Sequence, residues 1–148
     1  MPTTEATITL VDGLQFLAQT GSGHALVLDG RSDAGGKGSA PRPTELMAVS
    51  LAACTAMDVI SILRKMQQTV TGFQVRVAGE RAEEHPKKFL KIHLEYTVIG
   101  RSVAEDRVAR AIELSETKYC SAMATLRPGV EITSSYQIVE ATDEVMRK

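Results

Sequence analysis

The stretch from Arg42 to Met66, RPTELMAVSLAACTAMDVISILRKM, constrains this chain more than any other. Pro43 and the acidic Glu45 suit the first turn of a helix, where free amides and the positive end of the dipole lie. Leu46 to Leu63 contains neither Gly nor Pro. Arg64 and Lys65 then carry the sign that a helix C-terminus favours. The spacing predicts one helix of about six turns, roughly 35 Å at about 1.5 Å per residue. Apolar residues cover nearly its whole circumference, so it is expected to be buried. One polar seam remains, Ser50, Cys54, Asp58, Ser61 and Lys65, whose three- and four-residue spacing places it on one side. A cysteine therefore sits mid-helix on the only polar line.

The same run has about the minimum length of a membrane span. Asp58 near its centre would cost ~2.5–3.5 kcal/mol in a bilayer, which favours a buried helix of a soluble protein and no membrane partner. At 148 residues and net charge −1, with both signs interspersed, the chain reads as a single domain over 1–148. It carries no electrostatic footprint for nucleic acid. The N-terminus, MPTTEATITL, lacks the basic region and apolar core of a signal peptide, so a cytoplasmic, reducing location is expected. Cys54 and Cys120 form neither a zinc pattern nor a CxxC motif. In a reducing compartment they are two inert thiols or one reactive pair.

Ala6–Val11 alternates apolar and hydroxyl residues, Asp12-Gly13 offers a tight turn, and Leu14–Gln19 continues the alternation as a hairpin. A turn at Thr20–Gly23 leads to a third strand, His24–Asp29. Gly30–Ala40, with glycines at 30, 35, 36 and 38, is expected to be a mobile loop bordering a site. It fails the GxxxxGK[ST] spacing of a phosphate loop, so no nucleotide cofactor is expected. Val70–Arg81 and Phe89–Ile99 alternate as a second hairpin, with Leu90, Ile92, Leu94, Tyr96 and Val98 inward. His93 falls on the charged face, His85 in the turn and His24 at a strand start. No pair of histidines has ligand spacing, and no metal site is expected. Ser102-Val103-Ala104-Glu105 reads as a capping box opening a helix to about Thr117. A short helical turn follows over Ala122–Leu126, then a last strand over Val130–Val139 and a charged tail, 141–148, without assignment.

Three strands, a long helix, two strands, a helix with a helical turn, and a strand make an α+β fold with antiparallel sheets on a long central helix. One sheet cannot cover a helix that is apolar all round. A homodimer that packs the helix against its partner's copy would, with interwoven protomers as the natural extension.

The element order, Pro43-x-Glu45-Leu46 leading into Leu51-Ala52-Ala53-Cys54, Asp58-Val59 one turn on, and Cys120-Ser121 after a second helix resemble the OsmC/Ohr family. The version here is most similar to the OsmC-like branch with a Cys-x-x-x-Asp-Val helix. The resemblance implies an intertwined homodimer with two interface sites and, in active members, a thiol peroxidase in oxidative-stress defence. By position, Cys54 would attack hydrogen peroxide or an organic hydroperoxide, and Cys120 would resolve the sulfenic acid as a disulfide that a dithiol reductant reopens. An arginine from the N-terminal part and a glutamate opening the long helix would help arrange the thiolate. No arginine occurs before Arg31 in this chain; Arg31 and Arg42 are the substitutes within reach of the loop. The family's glutamate position falls on Thr44, with Glu45 next along, and one residue turns a helical side chain by about 100°. Glu45 is thus either the third site residue or simply the acid that a helix N-terminus favours. Asp58 would disfavour a thiolate on Cys54, or pair with a cation such as Lys65 or one from the partner chain. The alternative to an enzyme is a dimeric relative whose interface pocket binds a small apolar molecule or a partner, its thiols structural or redox-sensing.

Overall fold

Alternating apolar and hydroxyl residues fold the start of the chain into a three-stranded antiparallel meander: β1 (Ala6–Asp12), β2 (Gln15–Thr20) and β3 (Ala25–Leu28), in that spatial order. Ile8 pairs with Ala18 and Leu10 with Phe16. Gly13 turns the first hairpin at φ +56°, a conformation that costs a residue without Cβ nothing. The computed structural model describes residues 1–142; most of the charged tail, from 143 on, lies outside the described residues. The chain forms two compact units, Met1–Met47 and the remainder from Ala48.

In the first unit the glycine-rich segment differs from the mobile loop expected of it. Asp29, only 2% exposed, gathers the segment around its carboxylate. It accepts hydrogen bonds from the backbone N–H of Gly30 (2.7 Å), Lys37 (3.3 Å) and Ser39 (3.1 Å) and from the Ser39 hydroxyl (2.5 Å). A short 3₁₀ turn at Ser32–Ala34 lies within the segment. Gly36 crosses so close to Gly30 that an added Cβ would stand 2.2 Å from the Gly30 carbonyl oxygen. The glycines here serve backbone contact, which composition alone does not distinguish from mobility. The Ser39 hydroxyl, then the Ser39 amide, hold the Asp29 carboxyl down to about 2, from an ordinary value near 3.8. A depressed carboxyl contributes stability that is full above its unfolded value and is lost as pH falls toward the folded one. We therefore expect the native protein's thermal midpoint to drop between about pH 4 and about pH 2, with a shallower slope in Asp29→Asn; scanning calorimetry at stepped pH measures it.

The second unit contains a three-stranded sheet of order β4-β5-β6: β4 (Thr69–Arg81), β5 (Phe89–Arg101) and β6 (Glu131–Glu140). Strands β4 and β5 pair antiparallel, with Val75 opposite Tyr96 and Val77 opposite Leu94. β6 pairs parallel to β5, with Ile92 opposite Ile132 and Val98 opposite Ile138. That corrects the all-antiparallel expectation. Parallel neighbours need a crossover, and the helical segment between β5 and β6 supplies it. Ile92, Leu94, Tyr96 and Val98 are buried as the alternation predicts, whereas Leu90, before the core begins, is 44% exposed.

The long helix, α1, runs Pro43–Lys65 over 23 residues. Leu51, Ala52, Thr55, Val59 and Leu63 form its buried face, packed with Ile92, Leu94, Tyr96 and Val98 of β5 and with Val108, Ala111 and Ile112 of α2 (Glu105–Leu114). Thr55, a polar residue inside this face, returns its hydroxyl to the Ala52 carbonyl at 3.0 Å. Within one chain α1 is covered on this side and leaves an apolar side open, as expected of a helix packed on a single sheet: Val49 and Met57 are 52% and 70% exposed. A single sheet face and two short helices cannot enclose a full circumference. Leu63→Ala removes a fully buried side chain, and a loss of about 2–5 kcal/mol in unfolding free energy is expected from chemical denaturation.

The capping box also differs. The N-cap of α2 is Ala104, with no capping side chain of its own. Ser102 stands at φ +50° and its N–H donates to the Glu140 carboxylate at 3.0 Å. The Ala104 amide donates instead to Gln68 Oε1 at 2.9 Å, so a residue just after α1 caps α2. His93, expected to be solvated, is half-buried, with Nδ1 2.7 Å from the Thr133 hydroxyl and Nε2 3.1 Å from that of Ser135 on β6.

Candidate active site

Helix α2 does not continue smoothly to Thr117. At Ser115–Tyr119 the chain widens into a single π turn, closed by the Cys120 amide donating to the Ser115 carbonyl at 2.8 Å. Such turns displace the chain by one residue and recur at functional positions. The π turn delivers Cys120 as the N-cap of α3 (Ser121–Leu126), where its sulfur accepts the Met123 amide at 3.3 Å. Cys120 is 4% exposed; Cys54, on α1, is half-buried.

The fold brings the two cysteines together. Cys54 Sγ, Cys120 Sγ and a carboxylate oxygen of Asp58 all lie within 4.8 Å of one another. The Ser121 hydroxyl is 4.0 Å from Cys54 Sγ. Asp58 Oδ2 accepts the hydroxyl of the fully buried Ser115 at 3.0 Å. Lys65, the cation this chain offered for Asp58, does not pair with it: among the described residues Asp58 has no ion pair, and a hydroxyl from the π turn is its partner.

The two thiols are tuned in opposite directions. Burial pushes the Cys54 thiol up, but hydrogen bonds from the Ala122 amide, the Cys120 thiol and the Ser121 hydroxyl outweigh it and hold Cys54 below its ordinary value, against the opposing charge of Asp58. Burial, together with donation of its proton to Cys54, pushes Cys120 up to about 11. Cys54 is thus the better thiolate and the more accessible sulfur, and Cys120 the more firmly protonated of the two. A more accessible sulfur held below its ordinary value is what a nucleophile needs.

Glu45, in the first unit, is exposed and ion-paired with Arg42 at 2.5 Å. Arg31 is paired with Asp33. Both arginines considered as substitutes therefore have carboxylate partners of their own. Cys54, Cys120 and Asp58 are donors of kinds that zinc accepts, though they are one short of a closed four-ligand site. No histidine joins them among the described residues. Ser115 and the Ala122 amide were not visible as site groups in the sequence. Ser115 sits at the end of an ordinary amphipathic pattern, and a backbone amide leaves no signature in composition.

An α+β fold with two three-stranded sheets, a long helix carrying one cysteine, and a second cysteine within 4.8 Å of it define a class of two-cysteine proteins. The family profile described as OsmC-like protein matches residues 36–135, and the chain belongs to that family. Protein YhfA of Escherichia coli K12 is 42% identical over 137 residues, covering 93% of this chain and 99% of its own. A crystal structure of a hypothetical protein from Aquifex aeolicus VF5 superposes with a TM-score of 0.84 at 29% identity, over 96% of this chain and all of that one. An organic hydroperoxide resistance protein OsmC from Legionella pneumophila has a TM-score of 0.70 at 18% identity, over 93% and 98% of the two chains. At that identity the likeness is one of fold.

Proposed function

We propose that this protein is a thiol-dependent peroxidase that reduces organic hydroperoxides or hydrogen peroxide, with Cys54 peroxidatic and Cys120 resolving. The observation that carries the reading is the pair of sulfurs within 4.8 Å, one thiol held low and the other high. The Cys54 thiolate attacks the terminal peroxide oxygen; the S–O bond forms, the O–O bond breaks, and the leaving oxygen takes a proton to depart as alcohol or water. Cys120 then attacks the sulfenic acid, releasing water and closing a disulfide, which a dithiol reductant reopens by exchange. Glu45 is the third residue of the proposal, with Arg42 as its partner. A cycle fed by a dithiol suits the reducing cytoplasm, and its role there would be oxidative-stress defence. The test is hydroperoxide consumption in the presence of dithiothreitol. Turnover that depends on both cysteines is expected, and peroxide-treated protein lacking a Cys54–Cys120 disulfide by mass spectrometry would overturn it.

The protein is further proposed to work as a homodimer joined along α1. Val49, Ala53, Met57 and Ile60 form an apolar stripe beside the buried face, at helical spacing and none of them buried. Light scattering should give a particle of two chains, and Met57→Lys a single folded one. A native monomer would refute the interface.

A second reading rests on the first unit. Ile8, Leu14, Phe16, Leu28 and Pro43 line an apolar pocket of about 430 Å³, large enough for a small apolar ligand. In that reading the protein is a non-enzymatic binder with redox-sensing thiols, and it is favoured if hydroperoxide is not consumed.

A further inference from the structure

The resolving step poses a proton problem. Cys120 is buried, which favours its protonated form, yet it must lose that proton to form a bond to Cys54. The sulfenic hydroxyl on Cys54 must also leave as water, not as hydroxide. A group within reach of both sulfurs, able to take the proton from one and give it at the other, would serve both needs.

We infer that Asp58 is that group: the proton acceptor for Cys120 and the donor to the departing oxygen on Cys54, held for the task by Ser115. Its carboxylate lies within 4.8 Å of both sulfurs, a distance that one intervening water or a small closure spans. It is half-buried in the polar seam of α1, one turn after Cys54, with no ion pair among the described residues to neutralise it. The single π turn fixes both partners through one residue. The Ser115 hydroxyl donates to Asp58 at 3.0 Å, and the Ser115 carbonyl receives the Cys120 amide at 2.8 Å. A carboxylate beside the attacking thiol would otherwise be a liability, since its charge disfavours the thiolate of Cys54. A role in the second half-reaction gives it a use.

The step balances. The Cys120 S–H bond breaks and its proton passes to Asp58. The Cys54–Cys120 S–S bond forms while the Cys54 S–O bond breaks. Asp58 returns the proton to the departing oxygen, which leaves as water. The oxidising equivalent is the one that the hydroperoxide delivered to Cys54, so this role rests on the peroxidase reading for its natural substrate. The proton transfer itself can be measured without peroxide.

The experiment loads Cys54 with thionitrobenzoate, using Ellman's reagent on the full chain, and follows release of the coloured thiol as Cys120 attacks the mixed disulfide. The groups that share this surrounding are Cys54 and Lys65 on α1, Tyr119 and Cys120 around the π turn, and the Tyr96 hydroxyl with Glu116. The profile is therefore read as a difference between variants. In Asp58→Asn, release at pH 7 should fall by about 10²-fold or more, the range of a lost general base, and should rise about tenfold per pH unit above that. The native protein should release with a much flatter profile. Ser115→Ala keeps the carboxylate but frees it, so release should slow severalfold with the flat profile kept. It remains informative should Asp58→Asn fail to fold. A merely structural Asp58 would change the rate without steepening the profile, and that result overturns the inference, as does native-rate release in Asp58→Asn or, where only Ser115→Ala folds, in Ser115→Ala. A separate arm traps the Cys54 sulfenic acid with a cyclic 1,3-dione in peroxide-treated Cys120→Ser. No trapping there with Asp58-dependent release retires the peroxidase reading and leaves the role of Asp58 standing; trapping with Asp58-independent release does the reverse.

Discussion

Cys54→Ser should bring hydroperoxide consumption down to the rate of reductant and buffer alone, roughly 100-fold or more below the native protein. The expectation follows from what the site offers a peroxide. Serine keeps the shape of the side chain and can accept the same hydrogen bonds from Ala122 and Ser121, so the fold around it is unchanged. Its hydroxyl, however, has no accessible anion near neutral pH, and the peroxide bond yields only to a polarisable, ionised sulfur. Cys120 cannot take over. It is 4% exposed, its proton is held up to about 11, and its sulfur is engaged by the Met123 amide. The measurement is a coupled or direct peroxide assay at fixed dithiol, with far-ultraviolet circular dichroism to show that the helices persist. Turnover surviving in Cys54→Ser would sink the peroxidatic assignment and shift attention to the apolar pocket of the first unit.

The sequence was most legible where local pattern and tertiary role coincide. Leu46–Leu63, free of Gly and Pro, could only be a long helix, and Phe73, Val75 and Val77 against Gln74 and Arg76 could only be a strand with one covered face. The resemblance to the OsmC/Ohr family rested on the element order, on this helix with Cys54 and Asp58-Val59, and on Cys120-Ser121, and the family assignment agrees with it. What stayed hidden was long-range. Alternation is the same in parallel and antiparallel strands, so nothing in Glu131–Glu140 announced that it would lie parallel to β5. Ser102 and Glu105 stood at capping-box spacing, yet Gln68, remote in sequence, caps the helix. Asp29 looked like the end of a strand and turned out to organise the segment that follows it. At the site itself, Asp58 was visible as an anomaly in an apolar helix. Its partner was not, because a single π turn shifts the register of Ser115 and Cys120 without altering the apolar pattern before it.

Cys120→Ser is expected to separate the two half-reactions. Attack at Cys54 should persist, since the Ala122 amide and Ser121 hydroxyl remain to support its thiolate, and the added hydroxyl at 120 can still donate to sulfur. Closure should not. The native sulfurs begin within 4.8 Å and must approach to about 2.0 Å. With no second thiol, the sulfenic acid waits for an external dithiol to reach a half-buried position. In that interval a second peroxide competes, and its product is the sulfinic acid, which ordinary dithiols do not reduce. The variant should therefore consume about one equivalent of hydroperoxide quickly, then lose activity with each exposure. Intact-mass spectrometry should show the protein heavier by about 32 Da, two oxygens, localised to Cys54. The native protein under the same peroxide should instead be lighter by about 2 Da, the two hydrogens lost to a disulfide. Undiminished, sustained turnover in Cys120→Ser would mean that the dithiol attacks the sulfenic acid directly. The proximity of the two sulfurs would then serve to position the Cys54 thiolate through the hydrogen bond from Cys120.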